Sequence, residues 1–445
     1  MKIKIGILSL GCARNLVDSE VILGWLKEAG FGIVEEIAQS DIALVNTCCF
    51  VRPAQEETIE TILEICRLKA RGQVKKIVVC GCLVQRHKQK LLKLLPEVDA
   101  FVDVGSIQKI VSVLKRLLKD EQGLAEFAPA EFLYSHLSPR EFITPKHFAY
   151  LKVSEGCNNR CSYCVIPSLR GRHRSRDAAS ILKEADLLIK QRRVKEINLI
   201  GQDTTMYGED LTGSLNLAEL LRKLAQKAKG RWIRLLYTHP AHFSDQLIQV
   251  IKREQPICKY IDLPIQHIND KILKLMRRKT STAQILRLLD ALRQAIPNLC
   301  LRTTLMVGFP QETDRQFREL LDFMRQVKFE RLGLFKYSPE EDTPAAKLSG
   351  QVPERVKQAR FNQALGLQQQ IARGLNQKFL GQTLRVLVDE QDSQDRGQFI
   401  GRTQFDAPEV DGCVYLRSKK GLKVGTFVRA EIVDTLEYDL VGRAG

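Results

Sequence analysis

The chain has 445 residues, 44% of them hydrophobic, with 69 Lys and Arg against 52 Asp and Glu. At about 100 to 200 residues per domain this length implies about three domains. The apolar content excludes a disordered chain, and charged residues recur too often to leave the run of about 20 apolar residues that spans a bilayer. The net charge of +17 favours a polyanionic partner such as RNA or the ribosome, although it also serves solubility.

At the N-terminus, Lys2 and Lys4 precede a short apolar run and Cys12, a weak imitation of a secretory or lipoprotein signal. The run passes straight into a helical pattern, so it reads as a first strand. Twelve cysteines without an export signal are expected to be reduced thiols serving metal or catalysis, which places the chain in the cytoplasm.

Strand-like runs at 3–10, 42–47, 76–80 and 101–104 alternate with helical patterns, which predicts an N-terminal open parallel α/β sheet over 1–117. Between the first two runs, Val17, Val21, Trp25 and Ala29 recur every fourth residue and Gly30 stands at a helix C-terminus. Prolines and glycines interrupt 118–147, which reads as a linker. Six further strands, at 149–154, 196–200, 232–237, 261–264, 301–307 and 331–337, alternate with helices and predict a central partial (β/α)6 barrel over 148–377. After a helix near 354–380, five short strands within 378–445 predict a small OB-like β-barrel.

Cys157, Cys161 and Cys164 form C-x-x-x-C-x-x-C after the first strand of the second series, at the mouth where barrel active sites sit. Thiolates are soft ligands suited to iron-sulfur clusters, and three cysteines leave one of four irons open to a chelating ligand. A zinc knuckle would need a fourth protein ligand nearby. Cys12 in LGC, Cys48 in NTC and Cys82 in CGC each follow a predicted strand. Parallel strands gather such ends in one crevice, so a second cluster is expected there, with Cys49 and Cys80 as adjacent alternatives. Cys66, Cys258, Cys300 and Cys413, like Cys49 and Cys80, read as core or incidental. Arg170, Arg172, Arg174 and Arg176 either hold carboxylates of substrate or cofactor or form a solvated loop.

The C-x-x-x-C-x-x-C motif resembles the radical S-adenosylmethionine superfamily. That resemblance implies S-adenosylmethionine at the open iron, with Tyr163 near adenine and Gln202, Asp203 and Gly308 at the strand ends where cofactor contacts fall. The three modules in order resemble the methylthiotransferase family over nearly the whole chain. This implies Cys12, Cys48 and Cys82 as ligands of an auxiliary 4Fe-4S cluster, Cys157, Cys161 and Cys164 as ligands of the radical 4Fe-4S cluster, and a C-terminal TRAM domain.

GCNNRCSYCVIPSLRGRHRSR from Gly156, GQDTTMYG from Gly201, YTHP from Tyr237, DLPIQH from Asp262 and GRTQFDAPEVDG from Gly401 resemble the RimO branch, which modifies a ribosomal-protein aspartate. The implied reaction is methylthiolation of the β-carbon of an aspartate in the twelfth small-subunit protein, alone or within the subunit. S-adenosylmethionine would serve as both methyl donor and radical source, and a flavodoxin or ferredoxin as electron donor. A rival reading is methylthiolation of an adenosine in transfer RNA, and a rival of another class is a non-catalytic RNA-binding metal protein. A module gripping transfer RNA should be basic, whereas 378–445 holds ten basic and eleven acidic residues, net −1, against +18 upstream. A neutral or acidic face is better suited to a basic ribosomal protein.

Overall fold

The computed structural model describes residues 2–213 and 215–445. They form two compact units: 2–143 with 152–159 and 164–181, and 144–151 with 160–163, 182–213 and 215–445. By contact, residues 152–159 and 164–181 group with the N-terminal unit.

In the first unit, β1 (Lys4–Ser9), β2 (Gly32–Val34), β3 (Ile42–Thr47), β4 (Lys76–Gly81), β5 (Ala100–Asp103) and β6 (Leu124–Glu126) form an all-parallel sheet in the order β2-β1-β3-β4-β5-β6. Strand β6 lies in the segment expected to be a linker and pairs with β5 from Leu124 to Glu126. Three residues are too few for a periodic signal, which is why pattern reading passes over it. Period-two alternation sorts the central strands onto two faces. Ala43, Val45, Ile77 and Val79 enter one apolar layer, while Ile42, Leu44, Val78 and Cys80 enter the other. Burial on both faces is the normal state of a parallel sheet.

Three helices follow three of these strands: α1 (Ala13–Glu28), α2 (Arg52–Ala70) and α3 (Cys82–His87). The expected first helix is present, and Gly30 beyond it takes φ +92°. From β1 the chain moves to one side to lay down β2, then to the other to lay down β3. The C-terminal ends of β1 and β3 therefore flank a topological switch point, the usual ligand crevice of open α/β sheets.

The second unit contains β7 (Phe148–Lys152) except for its last residue, then β10 (Glu196–Ile200), β11 (Trp232–Leu235), β12 (Ile257–Asp262), β13 (Cys300–Val307) and β14 (Arg331–Lys336), while the intervening β8 (Ser154–Glu155) and β9 (Arg174–Ser175) pair antiparallel over two residues in the first unit. The sheet order β14-β13-β12-β11-β10-β7 is that of an open, partial β/α barrel, as expected. Strand β12 begins four residues earlier than its sequence pattern. The break in that pattern, Lys259, sends Nζ back to the Glu254 carbonyl at 3.0 Å, near the end of the helix Asp245–Arg253. Pro264 lies beyond the strand, as a residue without a ladder donor should.

Five C-terminal strands, β15 (Thr383–Gln391), β16 (Gln398–Arg402), β17 (Val414–Arg417), β18 (Phe427–Thr435) and β19 (Leu440–Ala444), close into a barrel in the order β15-β16-β17-β19-β18. This barrel docks on the parallel sheet of its own unit through buried charges. Arg402 and Arg234 share Glu196 at 2.8 and 2.7 Å, Arg331 holds Asp406 at 2.5 Å, and Asp411 accepts from Tyr260 at 2.6 Å and Arg302 at 3.2 Å. The string from Gly401 to Gly412 is thus largely a docking loop. Asp406, Asp411 and the mostly buried Asp389, paired with Arg402 at 2.8 Å, are committed inside. The formal −1 therefore does not describe an outward face, and the charge argument from sequence loses its footing.

Candidate active site

Cys12 occupies the N-cap of α1, Cys48 follows β3, and Cys82 opens α3 after β4. The glycine before two of these cysteines is required by geometry. Gly11 has φ +92°, and a Cβ on it would lie 2.7 Å from Cys48 Cβ and 2.8 Å from its sulfur. Gly81 has φ +97° and packs its Cα face on Asn46 and Thr47. Non-glycine residues avoid this left-handed region, and here a side chain would also collide. The LGC and CGC strings are therefore close-approach devices that let the first and third cysteine loops lie against the second.

Asn15, one turn into α1, ties the loops together. Its Nδ2 donates to the Leu10 carbonyl at 3.0 Å and the Thr47 carbonyl at 2.7 Å, and its Oδ1 faces Cys82 Sγ at 3.7 Å. Thr47 Oγ1 donates to the Cys80 carbonyl at 2.6 Å and accepts from the Leu83 amide at 3.1 Å. The three sulfurs are electrostatic neighbours: thiolates at Cys12 and Cys48 each raise the cost of ionising Cys82. Burial pushes Cys82 up to about 11, against the pull of Arg170. Burial also raises Cys48. At Cys12 burial acts the same way but is outweighed by the Arg14 guanidinium, the Asn15 amide and Arg170, so this thiol lies below its ordinary value.

The two alternative cysteines are placed differently. Cys49 and Cys80 are fully buried, in the two opposite apolar layers, and burial raises both thiols far above their usual range. Strand alternation explains Cys80, which points away from the layer that holds Cys82.

Cys157, Cys161 and Cys164 lie on the loop between β8 and the short helix Ile166–Arg170. The Cys157 amide donates to the Gly171 carbonyl at 3.1 Å, and the Asn159 amide reaches Cys157 Sγ at 3.4 Å. Gly156, at φ +80°, packs against the Arg172 carbonyl. Of the four arginines read as a carboxylate clamp or a solvated loop, Arg172 is exposed, but Arg170 and Arg176 are 3% and 1% exposed. Arg176 stacks on Tyr134 at 4.1 Å and donates to the Lys152 carbonyl at 2.6 Å. Arg170 donates to Asp18 at 2.6 Å, Asn15 at 2.5 Å and Cys82 Sγ at 3.2 Å.

In the second unit, the strand ends gather a further set. Arg278 Nη1 lies 3.7 Å from Cys161 Sγ, and its Nη2 donates to the Pro264 carbonyl at 2.5 Å. Tyr163 and Asp203 are among the groups that raise Arg278 against the lowering effect of burial. Asp203 accepts from Thr205 Oγ1 at 2.5 Å and pairs with His242 at 2.9 Å. Burial alone would raise its carboxyl, but the His242 bond and neighbouring charges hold it below the ordinary range. His239 stacks on His242 at 4.9 Å, and burial, then Arg278, push its imidazole down to about 2.

Ligand atoms of Asp203, His239 and His242 lie within 4.8 Å of one another. The Arg278 cation beside them opposes a metal ion there. Tyr163 packs edge-on to Phe309 at 6.4 Å, half-buried as an aromatic at a pocket margin would be. Gln202 is half-buried directly after β10. Gly308, at φ +72°, donates to Glu312 at 2.7 Å, and the Lys357 stem fills the space where its side chain would be. Its glycine is explained by the turn and by Lys357. Sequence reasoning singled out neither Asn15, Asp18, Lys152 nor Arg278, since none carries a spacing signal. His239 entered only within the string from Tyr237.

The donor sets fit iron-sulfur clusters on their own chemistry. Three soft sulfurs from separate loops meet at a switch point beside Arg14 and Arg170, which favour thiolates. The second triplet has an arginine at Cys161.

The family profile "Radical SAM superfamily" matches residues 151–324, "Uncharacterized protein family UPF0004" residues 4–103, and "TRAM domain" residues 380–444. The chain is 46% identical over 438 residues to the ribosomal protein uS12 methylthiotransferase RimO of Desulforamulus reducens, covering 98% of each chain. It is 44% identical to the protein of the same description from Heliobacterium modesticaldum, covering 100% of this chain and 95% of the relative. Among solved structures, the radical S-adenosylmethionine methyltransferase TsrM from Kitasatospora setae aligns with a TM-score of 0.57 at 15% identity, over 78% of this chain and 77% of that one. This structural likeness extends to the fold.

Proposed function

The chain belongs to the RimO family of ribosomal protein uS12 methylthiotransferases, and from that premise we propose that it attaches a methylthio group to the β-carbon of an aspartate in uS12. The observation that carries this reading is the meeting of Cys12, Cys48 and Cys82 at a switch point, on a chain that also bears the 157–164 motif. Cys12, Cys48 and Cys82 hold the auxiliary 4Fe-4S cluster, and Cys157, Cys161 and Cys164 hold the radical one. Three cysteines apiece would leave one iron of each cluster open to an exogenous ligand. When bound, the clusters and S-adenosylmethionine would supply the radical, methyl-transfer and sulfur-transfer chemistry of the reaction.

The protein's own part is orientation and charge. Asp203, held ionised by His242, and the half-buried Gln202 offer acceptors for the amino group and ribose of the cofactor. Tyr163 offers its face to adenine. Arg278 keeps a fixed positive charge at Cys161, and His239 stays neutral at neutral pH, with Nδ1 accepting from the Ala241 amide at 3.2 Å and Nε2–H left to donate. A small reduced electron carrier, flavodoxin or ferredoxin in kind, delivers electrons, and a reducing cytoplasm keeps the thiols available.

Anaerobic reconstitution with iron and sulfide tests this directly. About eight irons per chain are expected, and reductant, S-adenosylmethionine and uS12 should yield a methylthio adduct on one aspartate peptide by mass spectrometry. Eight irons with product only on transfer RNA would keep the chemistry and overturn the substrate. A zinc-loaded, colourless protein that never cleaves S-adenosylmethionine would overturn both.

A further inference from the structure

One group in the first unit is not accounted for by ligation or by cofactor contacts. The Arg170 guanidinium is 3% exposed and turned in two directions. Nη1 is anchored by Asp18 at 2.6 Å and lies 3.5 Å from Glu155. Nη2 is aimed at Asn15 at 2.5 Å and at Cys82 Sγ at 3.2 Å. Lys152, 2% exposed, pairs with Asp18 and also with Glu155 at 2.8 Å. These four charges, two of each sign, surround a cavity of about 10 Å³. They neutralise one another without the sulfur, so the bond to Cys82 is additional to charge balance. Burying four charges is costly, and replacing such a network by apolar side chains is often neutral or stabilising. A fold-stabilising purpose alone therefore explains it poorly.

We propose that Arg170 is a positioning residue of the auxiliary centre, holding the Cys82 sulfur by a charge-assisted hydrogen bond and setting the reduction potential of the cluster ligated there. The inference rests on the ligand assignment proposed above. Hydrogen bonds to ligating sulfurs and net local charge are the protein's main controls on cluster potential. A cation donating to the sulfur stabilises the reduced, more negative cluster, so Arg170 raises the potential. The Asp18–Lys152–Glu155 set fixes the guanidinium and tempers its charge. Arg170 lies six residues after Cys164, within the first unit, so the same short segment that carries the last motif cysteine also supports Cys82.

The test uses the full chain carrying Cys157→Ala, Cys161→Ala and Cys164→Ala, so that one cluster reports in a spectroscopic redox titration. About four irons should remain. If none do, the ligand assignment fails and this inference falls with it. If four remain, Arg170→Gln should lower the reduction equilibrium constant about tenfold, and Arg170→Lys, which keeps the charge, should recover most of the shift. Asp18→Asn should move the midpoint upward, because the charge of Arg170 is then less neutralised, whereas mere loosening of the fold would move Asp18→Asn and Arg170→Gln alike. Four irons with an unchanged midpoint in Arg170→Gln would overturn the proposal. Should Arg170→Gln lose its iron, Asp18→Asn decides: an upward shift supports the role, and no shift overturns it.

Discussion

The two cysteine triplets are laid out along the chain in opposite ways. Cys157, Cys161 and Cys164 lie within eight residues of one another in the chain. Cys12, Cys48 and Cys82 are separated by more than thirty residues at each step, and only the order β2-β1-β3-β4 makes neighbours of them. The first kind of site tolerates a loop built from local bonds such as Cys157 N–H to the Gly171 carbonyl. The second needs glycines where backbones touch, an Asn15 spanning three loops, and a buried arginine. Each triplet nonetheless has a guanidinium at one sulfur, Arg170 at Cys82 and Arg278 at Cys161, at 3.2 and 3.7 Å. The spacing of the cysteines can be local or global, but the arginine beside a sulfur arrives from a distant part of the chain in both.

The sharpest way to break this comparison is to remove one cysteine from each triplet. Cys12→Ala and Cys157→Ala should both abolish the methylthio product and both lose about four of about eight irons. They should differ in S-adenosylmethionine cleavage, which Cys12→Ala retains and Cys157→Ala loses. If Cys12→Ala emptied both sites, the triplets would not be separate centres. A smaller effect is expected at Gly11→Ala, where a Cβ 2.7 Å from that of Cys48 and a φ of +92° together cost about 1–3 kcal/mol. Iron should fall only at the auxiliary site. Gly72→Ala is the control: its φ is +74° with nothing within 4 Å, so thermal stability should drop by about 1 kcal/mol with the iron count unchanged.

At the other triplet, Arg278→Gln should reduce kcat/KM for S-adenosylmethionine cleavage about tenfold, the effect of one charged hydrogen bond. Unchanged kinetics would make the arginine a packing group. The smallest expected effect is on pH. His239 has a folded-state value of about 2 against about 6.5 when unfolded. The unfolded chain therefore binds the extra proton between these values. The stability contribution is complete above about pH 6.5 and is lost progressively as pH falls toward 2, by at most about 1.4 kcal/mol per pH unit. Chemical denaturation of His239→Asn between pH 6 and 4 should show a shallower slope than the parent chain. An identical slope would mean that His239 titrates normally, and the role given to its neutral ring would go.

Much of the architecture was legible in the residues. Alternating runs announced the parallel strands, and the five short C-terminal strands announced a barrel, because side-chain period follows directly from backbone geometry. The 157–164 motif was equally plain, since its spacing is a property of eight consecutive residues. Pattern reading failed where a segment's meaning depends on a distant partner. Residues 124–126 are a strand only because β5 offers an edge. The acidic residues at 389, 406 and 411 seemed to describe an outward face, but buried arginines claim them. The chain's own pattern carried the cysteine spacing and the order of the modules, which are properties read along the sequence. Tertiary structure alone decided that Cys48 rather than the buried Cys49 lies beside Gly11, that Cys80 turns away into the opposite layer, and that Arg170 is a buried partner of Cys82. Those choices depend on which strand lies next to which and on where charge is shielded from water, and neither quantity exists until the chain has folded.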